Sequence, residues 1–157
     1  MDLARHGSRV ALARGGEAVA RLDRRPVVHR AALSVIPIAI ERRFDAEAGR
    51  EEELGFELRV RDPGGGEPAR FAVEVRGGRC RVRRGALPEA SSAVTVAGED
   101  LLRVGSGALG WPDLVSSGRV ELSGDPFEAL RFPALFRLPS AAVIAEPLLP
   151  RPATPRQ

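Results

Sequence analysis

Residues 91–136 read SSAVTVAGEDLLRVGSGALGWPDLVSSGRVELSGDPFEALRFPALF. In this stretch Val94 and Val96 alternate with small polar neighbours, which predicts a strand, and a second alternation at 119–123 predicts another. Short apolar segments at 98–105, 111–117 and 125–136 predict three helices between and after these strands. A small sheet does not need this much apolar helical surface to cover it. We therefore interpret the surplus as the wall of a pocket for an apolar molecule.

The last of the three predicted helices has the clearest start. Asp125 is predicted to be its N-cap, Pro126 its first helical residue, and Glu128 the third residue of a capping box. Pro133 should kink or break the helix. Since its apolar residues lie on nearly all sides, the helix needs cover from a sheet, a ligand or a membrane.

The preceding part of the chain predicts helices followed by a meander. Helices are expected at 27–35 and 38–47, separated or kinked by Pro37. From residue 54 the apolar period changes to two, and strands are joined by the turn cluster 62–66 and by the hairpin signal at 77–78. We expect one face of this meander to be buried (the dry face) and the other to be exposed to solvent (the wet face), with Glu57 and Glu74 among the arginines of the wet face.

Length and composition favour a single domain. A chain of 157 residues buries enough surface for one core. We divide it into a poorly ordered or weakly packed lead at 1–25, a domain at 26–144 and a Pro-rich tail at 145–157. The net charge is +3, and the arginines interleave with glutamates rather than aromatics, which argues against nucleic acid. The apolar run at 27–40 is too interrupted for a membrane span, and no signal pattern precedes it, so we expect a cytoplasmic protein.

The sequence offers no catalytic set. Cys80 is the single cysteine, which excludes an internal disulfide, and its place on the dry face of a strand favours a small core residue. The glycines at 105–110 match G-x-G-x-x-G but lack the strand directly before them that a dinucleotide site needs. His6 and His29 have no metal or triad spacing. We expect neither a cofactor nor a metal, and no enzymatic activity.

The order of the predicted elements resembles the sterol-binding domain of the sterol carrier protein 2 family. The segments that carry the resemblance are FAVEVRGGRCRV at 71–82, AVTVAGEDLL at 93–102, Gly107 and SGRVELSGD at 117–125. The resemblance implies an α+β fold with a five-stranded, mostly antiparallel sheet and helices on one face. It also implies an enclosed apolar tunnel that holds sterols, fatty acids, acyl-CoA or phospholipids without chemistry.

We therefore predict non-catalytic binding or transfer of a sterol-like or long-chain acyl lipid. Its partners would be the lipid, a membrane in transient contact, and a second copy if the chain dimerises. The alternative is an accessory or dimer-forming interaction module with the same fold and a filled core. The residues predicted to contact lipid are apolar and come from the predicted helices and two strands: Leu101, Leu102, Val104, Leu109, Trp111, Leu114, Val115, Leu130, Phe132, Leu135, Phe136, Phe56 and Phe71.

Overall fold

A computed structural model describes residues 26–138. The lead predicted at 1–25, the end of the domain at 139–144 and the tail at 145–157 lie outside the described residues. The described part contains four α-helices, one 3-10 turn and five strands in one sheet. In chain order they are α1 (Pro26–Arg43), β1 (Glu53–Arg61), β2 (Ala69–Arg76), β3 (Arg79–Arg84), β4 (Ser92–Ala97), α2 (Gly98–Ser106), α3 (Trp111–Ser116), β5 (Glu121–Gly124), α4 (Pro126–Arg131) and the 3-10 turn (Phe132–Leu135).

The sheet has the strand order β3-β2-β1-β4-β5. β1 pairs with β2, β2 with β3, and β4 with β5 in antiparallel fashion, whereas β1 and β4 are parallel. The predicted hairpin between β2 and β3 is confirmed: Gly77 and Gly78 have φ of 56° and 72°, values that favour glycine in a two-residue turn. The fold is thus α+β with a mixed sheet in which antiparallel pairs predominate.

The inner face of the sheet forms the core. Alternate residues of β1 point to it, and they are level with apolar partners on both neighbours, as Leu58 is with Phe71 and Val94. These three side chains are almost completely buried. The period-two alternation therefore predicted the dry face of β1, β2 and β4 correctly.

The prediction of a wet outer face was wrong for Glu57, which is only 4% exposed. The connection from β3 to β4 crosses this outer face, and its Leu87 lies over Gly55, where an added Cβ would meet the Leu87 side chain at 3.0 Å. The Leu87 N–H donates to the Glu57 carboxylate at 3.1 Å, and Arg59 Nε donates to it at 2.6 Å. Glu74 behaves as predicted and pairs with Arg83 in a partly exposed position.

The two helices predicted around Pro37 form one helix, α1, which ends at Arg43 rather than residue 47. Pro37 lies inside it and removes one backbone hydrogen bond. Leu33 and Ile36 before Pro37 are buried, and Ile40 after it is partly buried against the same core, so both halves pack on one core. α1 also covers the edge of the sheet, because the Glu41 carboxylate accepts the Val82 N–H of β3 at 2.8 Å.

The last helix begins and ends as predicted, with one correction. Asp125 caps α4 by accepting the Phe127 N–H at 2.9 Å, and the α-helix stops before Pro133 and continues as the 3-10 turn. Glu128 does not complete a capping box. Its carboxylate instead accepts the hydroxyls of Ser91 and Ser92 on the β4 side.

The strand predicted at 119–123 is displaced slightly towards the C-terminus, as β5. None of the described helices is long and apolar enough to cross a membrane.

Candidate functional site

An apolar pocket of about 390 Å³ lies between α1 and α2. α1 provides one wall, α2 the opposite wall, and aromatic side chains from α3 and the 3-10 turn the floor. Val35 and Ala39 on its rim are exposed, so among the described residues the pocket is open on the α1 side. Its lining consists of Val35, Ile36, Ala39, Ile40, Arg43, Leu101, Leu102, Val104, Gly105, Ser106, Trp111, Phe132, Phe136 and Leu138.

The floor of the pocket is a cluster of packed rings centred on Phe132. Its ring centroid lies 5.2 Å from that of Trp111 and 4.7 Å from that of Phe136. On the side towards the sheet it meets Phe56 edge-on at 4.9 Å. Phe56 itself does not line the pocket. Phe132 therefore separates the pocket from the inner face of β1.

The structure brings six of the predicted lipid-contacting residues to this pocket and places the other seven elsewhere. Those at the pocket are Leu101, Leu102, Val104, Trp111, Phe132 and Phe136. Phe56, Phe71, Leu114 and Leu135 are buried in the core, and Leu109 and Val115 are partly buried against it. Leu130 projects into solvent and is 59% exposed.

Sequence reasoning did not assign the α1 wall to the site. Ile36 and Ile40 are spaced by four residues, which indicates an apolar stripe on a helix, but this spacing does not say whether the stripe meets the sheet or a pocket. Leu138 was not singled out because it lies beyond the last predicted helix.

Arg43 is the one charged residue in the described lining of the pocket. It lies in the last turn of α1, where a cation complements the helix dipole. Its Nη2 donates to the Gly105 carbonyl at 2.5 Å, and its Nη1 donates to the Arg137 carbonyl at 3.4 Å. These contacts fix the guanidinium between the end of α2 and the segment after the 3-10 turn, beside a lining in which Ser106 is the other polar side chain.

Among the described residues, the side chains of Cys80 and Asp100 are held by contacts with the core or with neighbouring charged groups. Cys80 is partly buried against the core, and burial, helped by the Glu41 carboxylate, raises the pKa of its thiol to about 12. Asp100 is buried and pairs with Arg119 at 2.5 Å and Arg103 at 3.3 Å, and the Arg119 pair ties α2 to the segment that precedes β5. No group of three or more His, Cys, Asp or Glu residues within 26–138 could hold a metal ion.

Two comparisons by sequence gave nothing: neither a family model nor a curated protein matches this chain. Solved structures do match. Sterol carrier protein 2-like 2 from Aedes aegypti, in a solution structure described as palmitated, is 26% identical with a TM-score of 0.51, and the match covers 70% of this chain and 94% of that one. A crystal structure of the same Aedes protein has the same identity and TM-score and covers 65% and 94%.

The same fold is found inside a much larger protein. The stereoselective inverting sec-alkylsulfatase Pisa1 from Pseudomonas sp. is 21% identical with a TM-score of 0.51, and the match covers 62% of this chain. This chain spans only 15% of the sulfatase, and at this identity the likeness concerns the fold alone. Together with the sheet order and the helices described above, the comparisons identify the fold of this chain as that of sterol carrier protein 2.

Proposed function

We propose that this chain binds a long-chain acyl or sterol-like lipid, without chemistry, in the pocket between α1 and α2. The observation that carries the proposal is the lining of that pocket. Apart from Arg43 and Ser106 it consists of aliphatic and aromatic residues and one glycine. Such walls offer few hydrogen bonds to water. A hydrocarbon chain that enters the pocket transfers its apolar surface from water to an apolar environment, which is favourable.

The size of the pocket suits one lipid chain. Its volume of about 390 Å³ lies within the range of small-molecule sites, roughly 300–1,000 Å³. Each buried methylene contributes about 0.8 kcal/mol, and micromolar affinity corresponds to about 8 kcal/mol. About ten buried methylenes therefore reach micromolar binding before ordering costs are subtracted. The pocket should select only weakly among hydrocarbon chains of similar length, since few polar groups in its lining can distinguish one chain from another.

Arg43 would favour lipids with an acidic head. A guanidinium has five N–H donors, and the protein uses two contacts from Arg43 to backbone carbonyls. A carboxylate at this end of the pocket would accept a charge-assisted hydrogen bond, which is stronger than a neutral one. We therefore infer that a fatty acid binds more tightly than the corresponding fatty alcohol.

The likeness to the Aedes protein also supports the proposal. It is described as palmitated, and the matched region is nearly its whole chain. At 26% identity this likeness supports lipid binding by this chain in general and leaves the identity of the lipid to experiment.

The test is displacement of a fluorescent fatty acid from the purified full chain. Palmitate should displace the probe at micromolar concentration and hexadecanol more weakly. Arg43→Gln should reduce the preference for the acid, while Arg50→Gln, an exposed arginine paired with Glu47, should not. Failure of both lipids to displace the probe, together with no lipid released by solvent extraction or seen by native mass spectrometry, would exclude the carrier function.

A second candidate function is an accessory module that docks on an enzyme domain or a second copy. It is favoured by the occurrence of the fold as a small part of the sulfatase chain. This function predicts a tight dimer or complex by light scattering and fluorescence from Trp111 that does not respond to lipid.

A further inference from the structure

The floor of the pocket between α1 and α2 closes it towards the sheet. Phe132 lines the pocket, and its ring meets that of Phe56 edge-on with 4.9 Å between the centroids. Phe56 lies on β1, is 3% exposed and does not line the pocket. A lipid chain that enters between the helices therefore meets the Phe132 ring before it reaches the inner face of the sheet.

Buried packing and a backbone hydrogen bond hold this floor in place. Phe132 and Leu135 of the 3-10 turn are 6% and 4% exposed, and the Phe132 ring packs against Trp111 at a centroid distance of 5.2 Å. The Asp45 N–H donates to the Leu135 carbonyl at 2.9 Å. Because a close-packed interior leaves few gaps into which a side chain can move, the floor sets a fixed end to the pocket.

The volume of the pocket limits the number of carbon atoms that it can hold. An apolar protein cavity of about 150 Å³ holds one benzene molecule, which corresponds to about 25 Å³ for each carbon. On this scale the pocket of about 390 Å³ holds about sixteen carbons, the length of one palmitoyl chain. A sterol of about 27 carbons would need about 680 Å³, so about two fifths of it would remain outside the pocket.

We propose that Phe132 determines which lipids fit, because it restricts the pocket to a single acyl chain of about sixteen carbons and excludes a sterol. This inference rests on the proposed lipid binding and narrows its ligand class. Phe132 acts by occupying space, since its ring fills the volume between the pocket and Phe56. Phe132→Leu removes three carbon atoms from the side chain, so it should admit a chain that is about three carbons longer.

The test is a chain-length series on the purified full chain. Saturated fatty acids of roughly 10 to 20 carbons, below the concentrations at which they form micelles, compete with a fluorescent fatty acid. Each buried methylene should tighten binding by up to about fourfold, so affinity should rise up to about sixteen carbons and then stay level. Cholesterol should bind at least about tenfold more weakly than hexadecanol, because part of the sterol remains in water. Both molecules carry a single hydroxyl group, so this comparison does not depend on the charge of Arg43.

Two phenylalanine variants test the role of the floor. Phe132→Leu should shift the start of the level part of the series to about eighteen or twenty carbons. Phe71→Leu is the matched control, because Phe71 is also buried but lies in the core outside the pocket lining. It should keep the wild-type profile. Circular dichroism checks that both variants fold, and if Phe132→Leu does not, the wild-type series and the cholesterol comparison still decide the length limit.

The outcomes separate this inference from the proposed function. Wild-type affinity that keeps rising beyond about sixteen carbons, or cholesterol that binds as tightly as hexadecanol, would refute the length limit while lipid binding stands. A folded Phe132→Leu variant with the wild-type profile would refute the role of Phe132. Failure of every lipid to displace the probe would overturn both this inference and the proposed function.

Discussion

Replacing Glu57 by glutamine should lower the free energy of unfolding by about 2 kcal/mol, because the side chain is buried between two donors. The Leu87 N–H and the Arg59 Nε donate to its two oxygens, and Arg70 Nη1 lies 3.8 Å away. A hydrogen bond to a charged group contributes about 1 kcal/mol more than a neutral one. Glutamine loses this advantage in both bonds and turns its own NH₂ group towards one of the donors.

The effect should depend on pH in a defined direction. Burial raises the pKa of Glu57, but the hydrogen bonds from Arg59 and Leu87 and the charges of Arg59 and Arg70 outweigh it, so the pKa lies below its ordinary value of 4.5. A carboxyl with a lowered folded-state pKa stabilises the protein above the unfolded value, and this contribution is lost as pH falls through the folded value. The difference between wild type and Glu57→Gln should therefore be full at neutral pH and shrink in acid.

Urea unfolding followed by circular dichroism measures this difference. Glu74→Gln is the control, because Glu74 lies on the same outer face and its pair with Arg83 is partly exposed; such pairs contribute about 0–1 kcal/mol. Equal stabilities of Glu57→Gln and Glu74→Gln at neutral pH would refute the reasoning. So would a Glu57 effect that persists undiminished in acid.

Two further predictions concern Cys80 and a pair of glycines. Cys80 should react with iodoacetamide at about pH 8 far more slowly in the folded than in the urea-unfolded chain, because its raised pKa leaves little thiolate; equal rates would contradict its described surroundings. Gly124→Ala should lower the free energy of unfolding by more than about 2 kcal/mol, because Gly124 has φ of 84° and a Cβ would overlap the Ser91 carbonyl. Gly105→Ala, in α2 with nothing within 4 Å of the added Cβ, should instead stabilise by about 0.5–1 kcal/mol, and a thermal melt showing the same sign for both variants would refute this.

Local patterns predicted most of the strands and helices, since apolar period, turn residues and helix starts all act over short distances. They do not specify which strands become neighbours. The period-two alternation of β4 is equally compatible with antiparallel pairing, and only the crossing of residues 85–91 over the outer face makes β4 parallel to β1. The same crossing buries Glu57, whose sequence neighbours suggested an exposed face.

The pocket was harder to predict than the sheet for a related reason. Apolar residues at the right helical spacing pack into core or line a pocket with the same sequence signature. Leu114 and Phe71 fill the core, while Leu101 and Leu102 lie on α2 and line the pocket opposite α1, and this tertiary placement is not contained in the spacing of apolar residues. Arg43 escaped attention because its role depends on a tertiary neighbour, the Gly105 carbonyl at the end of α2.

Lipid titration of a variant with a filled pocket tests the central claim most directly. Ala39→Trp places an indole into the pocket from the α1 wall, and Ala31→Trp places the same group on an exposed position of α1 outside the lining. Binding of a fatty acid, measured by isothermal titration, should weaken by about tenfold or more in Ala39→Trp, a loss of about 1.4 kcal/mol. Ala31→Trp should bind like the wild type. Equal affinities of Ala39→Trp and the wild type would show that the lipid, if it binds, lies elsewhere.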